Sequence, residues 1–264
     1  MTSPLIASGV TVGYDDRTVI ESLTLEVPRD SFTVIIGPNA CGKSTLLRSL
    51  ARLLPASEGA VILDGREIAE YRSKEVARRL GLLPQTSIAP DGITVVDLVS
   101  RGRFPHQGLL RQWSAADEAA IVAAMTETSV LELAQRSFDE LSGGQRQRVW
   151  VAMALAQETP LLLLDEPTTY LDINHQLELL DLFAALRAAG GRTLVAVLHD
   201  LNQAARYASH LVVMKAGRIV AEGSPSEILT AELVDDVFGV ACRIIDDPES
   251  HTPLVVPKVR AHQR

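Results

Sequence analysis

The stretch Gly37-Pro38-Asn39-Ala40-Cys41-Gly42-Lys43-Ser44-Thr45 constrains this chain more than any other. It fits G-x-x-x-x-G-K-[ST], and the run before it, Phe32-Thr33-Val34-Ile35-Ile36, is apolar and β-branched, as a buried strand would be. Leu46, Leu47 and Leu50 follow at helical spacing. The local order is therefore strand, glycine-rich turn, helix. Glycines let the backbone turn tightly enough for successive N–H groups to point inward, and a helix N-terminus adds unpaired N–H groups and partial positive charge. Such a cradle holds phosphate oxygens, with Lys43 placed to reach the β- and γ-phosphates and the Ser44 hydroxyl to ligate Mg²⁺. The stretch implies a bound nucleoside triphosphate and leaves kinase, GTPase and motor open.

Around the cradle, strand and helix signals alternate. Leu5 to Val12 and Thr18 to Val27 read as two strands joined by a turn at Gly13-Tyr14-Asp15-Asp16. A turn tyrosine such as Tyr14 is ordinarily a half-buried packing residue. Gly59 to Leu63 is a short strand, Ser73 to Arg79 a helix, and Leu80 to Pro84 an apolar run followed by Gln85. The alternation predicts an α/β fold: a mostly parallel sheet flanked by helices, with an antiparallel N-terminal part. Ligands of such sheets bind at the carboxyl ends of strands, where Gly37 and Gln85 both fall.

From Thr86 to about Glu140 the strand signal stops. Helical stretches at Val95–Ser100 and Ser114–Thr128, the second opened by Ser114-x-x-Asp117, point to a helical subdomain inserted at about 86–157. Between them lies Arg101-Gly102-Arg103-Phe104-Pro105-His106-Gln107, which composition favours as a solvated connector. Leu141-Ser142-Gly143-Gly144-Gln145 then opens an Ala-rich helix with a capping Ser and exposed N–H groups. In a chain that already has one phosphate cradle, a second suggests a second contact with the same nucleotide.

Leu161 to Leu164 is a buried strand ending in Asp165 and Glu166. Charges are rarely buried without a task, and strand alternation would send the two carboxylates to opposite faces. Asp165 suits the Mg²⁺ shell and Glu166 the activation of a water. Thr168-Thr169-Tyr170-Leu171-Asp172 leads into a helix with Leu179, Leu182, Phe183 and Leu186 on one face. Thr193 to Leu198 is a buried strand stopping at His199, for which packing and phosphate contact both stay open. A helix over Asp200–Ala208 and a hairpin around Ala216-Gly217 close the core, and 241–264 is expected to be a C-terminal tail, thinning into polar residues and prolines after about Pro248.

Composition narrows the setting. The formal charge of −8 and pI near 5.3 argue against a broad nucleic-acid footprint. Two cysteines, Cys41 and Cys242, give no disulfide framework and fit a reducing cytoplasm. Met1-Thr2-Ser3-Pro4 has no basic lead, and no apolar run approaches the ~18 residues of a membrane span. A membrane role is therefore expected to run through a partner.

Taken together these motifs resemble the ATP-binding cassette (ABC) family over roughly residues 5–240. Leu141–Gln145 is its LSGGQ signature, standing before an apolar strand that ends in Asp-Glu. The resemblance implies an ABC ATPase domain over 1–240 with the P-loop NTPase fold, ATP and Mg²⁺ as cofactors, and ATP hydrolysis coupled to transport. It implies that Tyr14 stacks on adenine, and that Gly37, Pro38, Asn39, Ala40, Cys41, Gly42, Lys43, Ser44 and Thr45 hold the phosphates. Ser44, Gln85 and Asp165 would serve Mg²⁺, Glu166 would be the base, and His199 would sense the γ-phosphate. Ser142, Gly143, Gly144 and Gln145 would meet the nucleotide of a second copy across an ATP sandwich, where Asp172 is a dimer contact.

Within the family, Gly102–His106, Thr168–Ile173 with His175-Gln176, and His199–Ala204 resemble importers of ferric siderophores, haem and cobalamin. That resemblance implies permease subunits reached through Gln85 and the 101–107 loop. It also implies a periplasmic or lipoprotein substrate-binding protein, no nucleic acid, and a place on the cytoplasmic side of the bacterial inner membrane. A zinc or manganese importer and a soluble ABC ATPase are the alternatives. Two departures stand out: Asp30-Ser31 where a Gly-containing turn is common, and Ala40 where a glycine is often seen, tolerable if that residue keeps φ below zero.

Overall fold

Burial along the first two strands follows their side-chain alternation, interrupted once in each. In β1 (Leu5–Tyr14) the buried set is Leu5 and Ala7, then Val10 and Val12. Gly9, at φ 57, sits at the register shift between Ala7 and Val10 that moves the buried face from odd to even positions. In β2 (Arg17–Val27) the buried residues are Ile20, Leu23, Leu25 and Val27, with Ser22 at φ 48 marking the change. The structure, a computed structural model, describes residues 3–15, 17–85, 88–108, 113–169 and 171–259. Asp16 of the expected first turn, Thr86 at the expected start of the insertion, Tyr170, and the tail from 260 lie outside the described residues.

The chain folds as two compact units, Met1–Arg66 with Val195–Arg264, and Glu67–Leu194. In the first, β3 (Phe32–Ile36) has all five residues buried and leads into α1 (Lys43–Leu50), which buries Leu46, Leu47 and Leu50. Next, β4 (Glu58–Leu63) pairs antiparallel with β1, and the two-residue β5 (Arg66–Glu67) ends this stretch.

The second unit takes in the helical stretch and the strands beside it. Its elements are α2 (Ser73–Ala77), β6 (Leu80–Leu83), α3 (Val95–Ser100), α4 (Ala115–Glu127), α5 (Gly143–Ala156), β7 (Leu161–Asp165) and α6 (Ile173–Ala188). β6 and β7 run parallel, from Leu80 opposite Leu161 to Leu83 opposite Leu164. Thr94, Ser114, Ser142 and Asp172 cap α3, α4, α5 and α6 with their side chains, each satisfying a backbone donor that the helix start would otherwise leave open. On α6 the buried face is Leu179, Leu180, Phe183 and Leu186, so Leu180 takes the place expected of Leu182.

Arg101–His106 departs most from its composition. It forms a tight 3-10 turn in which Arg103 is only 4% exposed. Arg103 Nε donates to Asp117 Oδ1 at 3.0 Å, and its Nη1 donates to the Ala156 carbonyl at 2.7 Å and to Glu158 Oε2 at 2.6 Å. His106 Nε2 lies 2.8 Å from the Gln157 carbonyl, and Arg78 Nε donates to the Pro105 carbonyl at 2.8 Å. A guanidinium can be buried when its donors meet acceptors, as here. The expected solvated connector is therefore an anchored turn, with Phe104 left 58% exposed on it.

The first unit resumes with β8 (Thr193–Val197), whose last three residues belong to it, and α7 (Leu201–Tyr207). β9 (His210–Lys215) runs parallel to β3 and antiparallel to β10 (Arg218–Gly223). Ala216 at φ 48 and Gly217 at φ 77 are the two left-handed residues of a tight two-residue hairpin turn. After α8 (Pro225–Ile228) and α9 (Ala231–Phe238), β11 (Cys242–Asp246) and β12 (Pro253–Pro257) form an antiparallel hairpin within the segment expected to be a tail. Asn202 of α7 fastens it, accepting from Val255 N–H at 2.7 Å and donating to the Val255 carbonyl at 3.3 Å. Among the described residues no helix is long and apolar enough to cross a membrane.

Arg103→Ala strands the buried Asp117 carboxylate, so urea unfolding at neutral pH is expected to show a loss of about 3–5 kcal/mol, the scale for breaking a buried ion pair. The Ser114 hydroxyl and then Arg103 hold the Asp117 carboxyl at about 2, below its ordinary 3.8. Its contribution is therefore full above about pH 4 and lost as pH falls through about 2. The gap between wild type and variant is expected to narrow over that window, since the Asp117 part of the difference is lost there.

Candidate functional site

The glycine-rich loop is built by close backbone approach. At Gly37 an added Cβ would stand 2.3 Å from the Met214 carbonyl oxygen and 2.7 Å from Cys41 Sγ, so no side chain fits. Gly42, at φ 106, occupies the N-cap of α1 and offers its first turn no side-chain acceptor, and that turn holds no acidic residue. The helix start thus presents backbone N–H groups and positive partial charge to the loop. Lys43 is buried, and its Nζ donates to the carbonyls of Gly37 at 2.8 Å and Pro38 at 3.0 Å, drawing the ammonium across the loop. Cys41 is buried too, and its carbonyl accepts from Gly217 N–H at 2.9 Å. Burial pushes its thiol above the ordinary value, opposed in smaller part by the Lys43 charge.

Ala40 corrects the sequence reading: its φ is 61, in the left-handed region. The loop makes the same turn that a glycine would, against the side-chain clash that disfavours this conformation for L-residues. Asp30 also turns left-handed, at φ 54, where a short polar side chain is better tolerated. Tyr14 ends β1 with 42% of its surface exposed, and its hydroxyl accepts from Arg48 Nη1 of α1 at 3.4 Å. His199 follows β8, is exposed, and precedes Asp200, whose Oδ1 accepts from Gln203 N–H at 2.8 Å to open α7. All of these belong to the first unit.

The second unit carries the carboxylates. Asp165 closes β7 and is 3% exposed. Glu166 is not part of the strand: at φ 52 it begins a turn in which Thr169 N–H donates to its carbonyl at 3.2 Å. Strand alternation therefore does not set its direction, and the turn does. Gln85 Nε2 donates to Glu166 Oε2 at 2.6 Å, and Thr169 Oγ1 donates to the same oxygen at 3.2 Å. Gln85 and Glu166, far apart in sequence, are thus brought into direct contact.

The Ser142–Gln145 segment forms a capping box. Ser142 Oγ accepts from Gln145 N–H at 3.3 Å, and Gln145 Oε1 accepts from Ser142 N–H at 3.0 Å. Gly143 stands in open space, whereas a Cβ on Gly144 would meet the His175 ring at 3.1 Å. His175 also holds Asp172: its N–H donates to Asp172 Oδ1 at 3.0 Å, and its Nδ1 lies 2.8 Å from Oδ2. Those two bonds hold the Asp172 carboxyl below the ordinary range. Gln147 Nε2 of α5 donates to the Pro167 carbonyl at 2.8 Å, one residue past Glu166. Thr169 and His175 are partners that sequence reasoning gave no role. The helical offset of His175 from its N-cap Asp172 is the one signal that could have pointed to it.

Among the described residues no group of three His, Cys, Asp or Glu side chains could hold a metal ion. The side chains expected to serve Mg²⁺, on Ser44, Gln85 and Asp165, all carry oxygen donors, the kind that Mg²⁺ takes beside waters and phosphate oxygens. The uncapped start of α1 and the Lys43 ammonium fit a polyphosphate.

The family model described as ABC transporter matches residues 20–169. The chain is 58% identical to the ferric enterobactin transport ATP-binding protein FepC of Escherichia coli (strain K12), over 94% of this chain and 92% of that protein. It is 52% identical to the probable siderophore transport system ATP-binding protein YusV of Bacillus subtilis (strain 168), over 98% and 94%. It is 46% identical to the hemin import ATP-binding protein HmuV of Myxococcus xanthus (strain DK1622), over 96% of each. Among solved structures, one described as a metal-chelate type ABC transporter in an inward-facing conformation matches with TM-score 0.84 and 28% identity, over 98% of both chains. A dimeric bacterial ABC transporter cassette matches with TM-score 0.74 and 26% identity, over 83% of this chain and 98% of that one.

Ala40→Gly removes a left-handed Cβ from the loop. It is expected to stabilise the protein by about 0.5–1 kcal/mol, read from the urea midpoint, because relief of the clash outweighs the added entropy of the unfolded chain.

Proposed function

The chain belongs to the ABC transporter family, and on that premise we propose that it powers a bacterial importer of an iron–siderophore complex. Its activity is that of the family: it binds ATP and hydrolyses it, with the cassette acting as a dimer in a transporter. One observation carries the cargo class, namely 58% identity across nearly the whole chain to a ferric enterobactin transport subunit.

In this reading the backbone of Gly37–Thr45 and Lys43 bind the phosphates, and Tyr14 stacks on adenine. Ser44, Asp165 and Gln85 would hold Mg²⁺, which when bound neutralises charge on the β- and γ-phosphates. Ser142, Gly143, Gly144 and Gln145 meet the γ-phosphate of a second copy, with Asp172 beside them at the contact. Glu166 takes a proton from an in-line water as the water oxygen bonds to the γ-phosphorus. The bond from phosphorus to the bridging oxygen breaks, and its electrons leave on ADP. Lys43, His199 and the opposing α5 start stabilise the charge of the transition state. Gln85, held on the Glu166 carboxylate at 2.6 Å, connects the base to the surface that receives the permease. Phe104, exposed on its anchored turn, is offered to the same partner. The complex stands on the cytoplasmic side of the inner membrane, fed by a substrate-binding protein.

Glu166→Gln is expected to keep ATP affinity and lose ~10²–10⁴-fold in turnover, the range for one general base. Lys43→Ala is expected to weaken ATP binding itself, read by calorimetry. Co-purification with a permease, followed by identification of what the matching binding protein retains, tests the cargo; retention of bare zinc or manganese ions would overturn the siderophore reading.

A further inference from the structure

One oxygen of the Glu166 carboxylate receives two donors that are attached to the protein in different ways. Gln85 Nε2, 2.6 Å from Oε2, comes from beyond the end of β6. Thr169 Oγ1, 3.2 Å from the same oxygen, belongs to the turn that Glu166 itself begins. The Thr169 N–H donates to the Glu166 carbonyl at 3.2 Å, so backbone and hydroxyl both tie residue 169 to residue 166. Glu166, at φ 52, has left the strand and takes no aim from its alternation. A glutamate side chain has several rotatable bonds, and a base works only while it meets the water at a productive angle. A donor carried on the same turn is the means of fixing that angle whatever the neighbouring strand does.

We propose that Thr169 is a positioning residue for hydrolysis: its hydroxyl anchors Oε2 of Glu166, so the carboxylate keeps its aim when Gln85 changes partners. Thr169 acts through Glu166, and the proposal rests on the reading of Glu166 as the base. The hydroxyl is the active part, because the Thr169 backbone bond is indifferent to the side chain.

The test is steady-state ATP hydrolysis by the full chain over a range of ATP concentrations. The variants are Thr169→Val, Thr169→Ser, Glu166→Gln, and Glu166→Gln with Thr169→Val. Valine keeps the branched shape and loses the hydroxyl; serine keeps the hydroxyl. Thr169→Val is expected to lower kcat about tenfold, the scale of one hydrogen bond to a charged group, with KM within about twofold of wild type. Thr169→Ser is expected to turn over near the wild-type rate, and Thr169→Val to add no loss in the Glu166→Gln background. Wild-type kcat in Thr169→Val, equal impairment of Thr169→Ser, or a raised KM with unchanged kcat would each overturn the proposal. Wild-type turnover in Glu166→Gln would overturn the base reading and this proposal together. A slow Glu166→Gln beside a fast Thr169→Val removes this proposal alone.

Discussion

A helix that begins without a side-chain cap leaves backbone donors seeking an acceptor, and α1 is such a helix. Thr94, Ser114, Ser142, Asp172, Asp200 and Thr230 each turn a side-chain oxygen onto the start of their helix, whereas Gly42 has none to turn. The surroundings of α1 serve this one opening. Gly37 lies so close to the Met214 carbonyl that any side chain is excluded, and Gly217 N–H grips the Cys41 carbonyl. β3, with every residue buried, delivers the chain to the turn without slack. Such an opening is suited to an anion.

The second unit is organised by contacts that converge on two short turns. Gln147 reaches from α5 to the Pro167 carbonyl, Arg148 pairs with Glu178 at 2.9 Å, and the His175 ring lies against Gly144 while holding Asp172. The start of α5 and the turn that carries Glu166 are therefore fastened to each other by side chains of α5 and α6. In the proposed sandwich, the segment that meets the second copy's nucleotide and the segment that carries the base belong to one fastened assembly. Contact with the partner and the readiness of the carboxylate then share a mechanical basis.

What the sequence made legible was what is encoded locally. Phe32–Ile36 and Val95–Ser100 run between the residues that their patterns indicate, and Ser114 caps α4 with Asp117 as its spacing predicts. The glycine-rich loop, the α5 start and the Asp165-Glu166 pair are legible for the same reason, since each is a short contiguous motif. The burial of Arg103 was not legible, because its acceptors on Asp117, Ala156 and Glu158 lie far along the chain. Ala40 and Glu166 adopt left-handed backbone that their residue types disfavour, imposed by the loops around them. The hairpin after residue 240 depends on Asn202, and Thr169 gains its meaning from a bond to a carboxylate. In each case the determining partner is tertiary.

The buried thiol of Cys41 bears on how this loop withstands its chemical surroundings. Thiolates, not thiols, are what oxidants and electrophiles attack. Burial pushes the Cys41 thiol above its ordinary value of 9.0 despite the neighbouring Lys43 charge, so at neutral pH the sulfur stays protonated and shielded at 5% exposure. Its bulk packs against Gly37, where it serves as filler for the turn. A cysteine at the heart of a phosphate loop invites the idea of a redox switch. Here burial and packing keep the sulfur in its unreactive thiol form, a structural part of the turn.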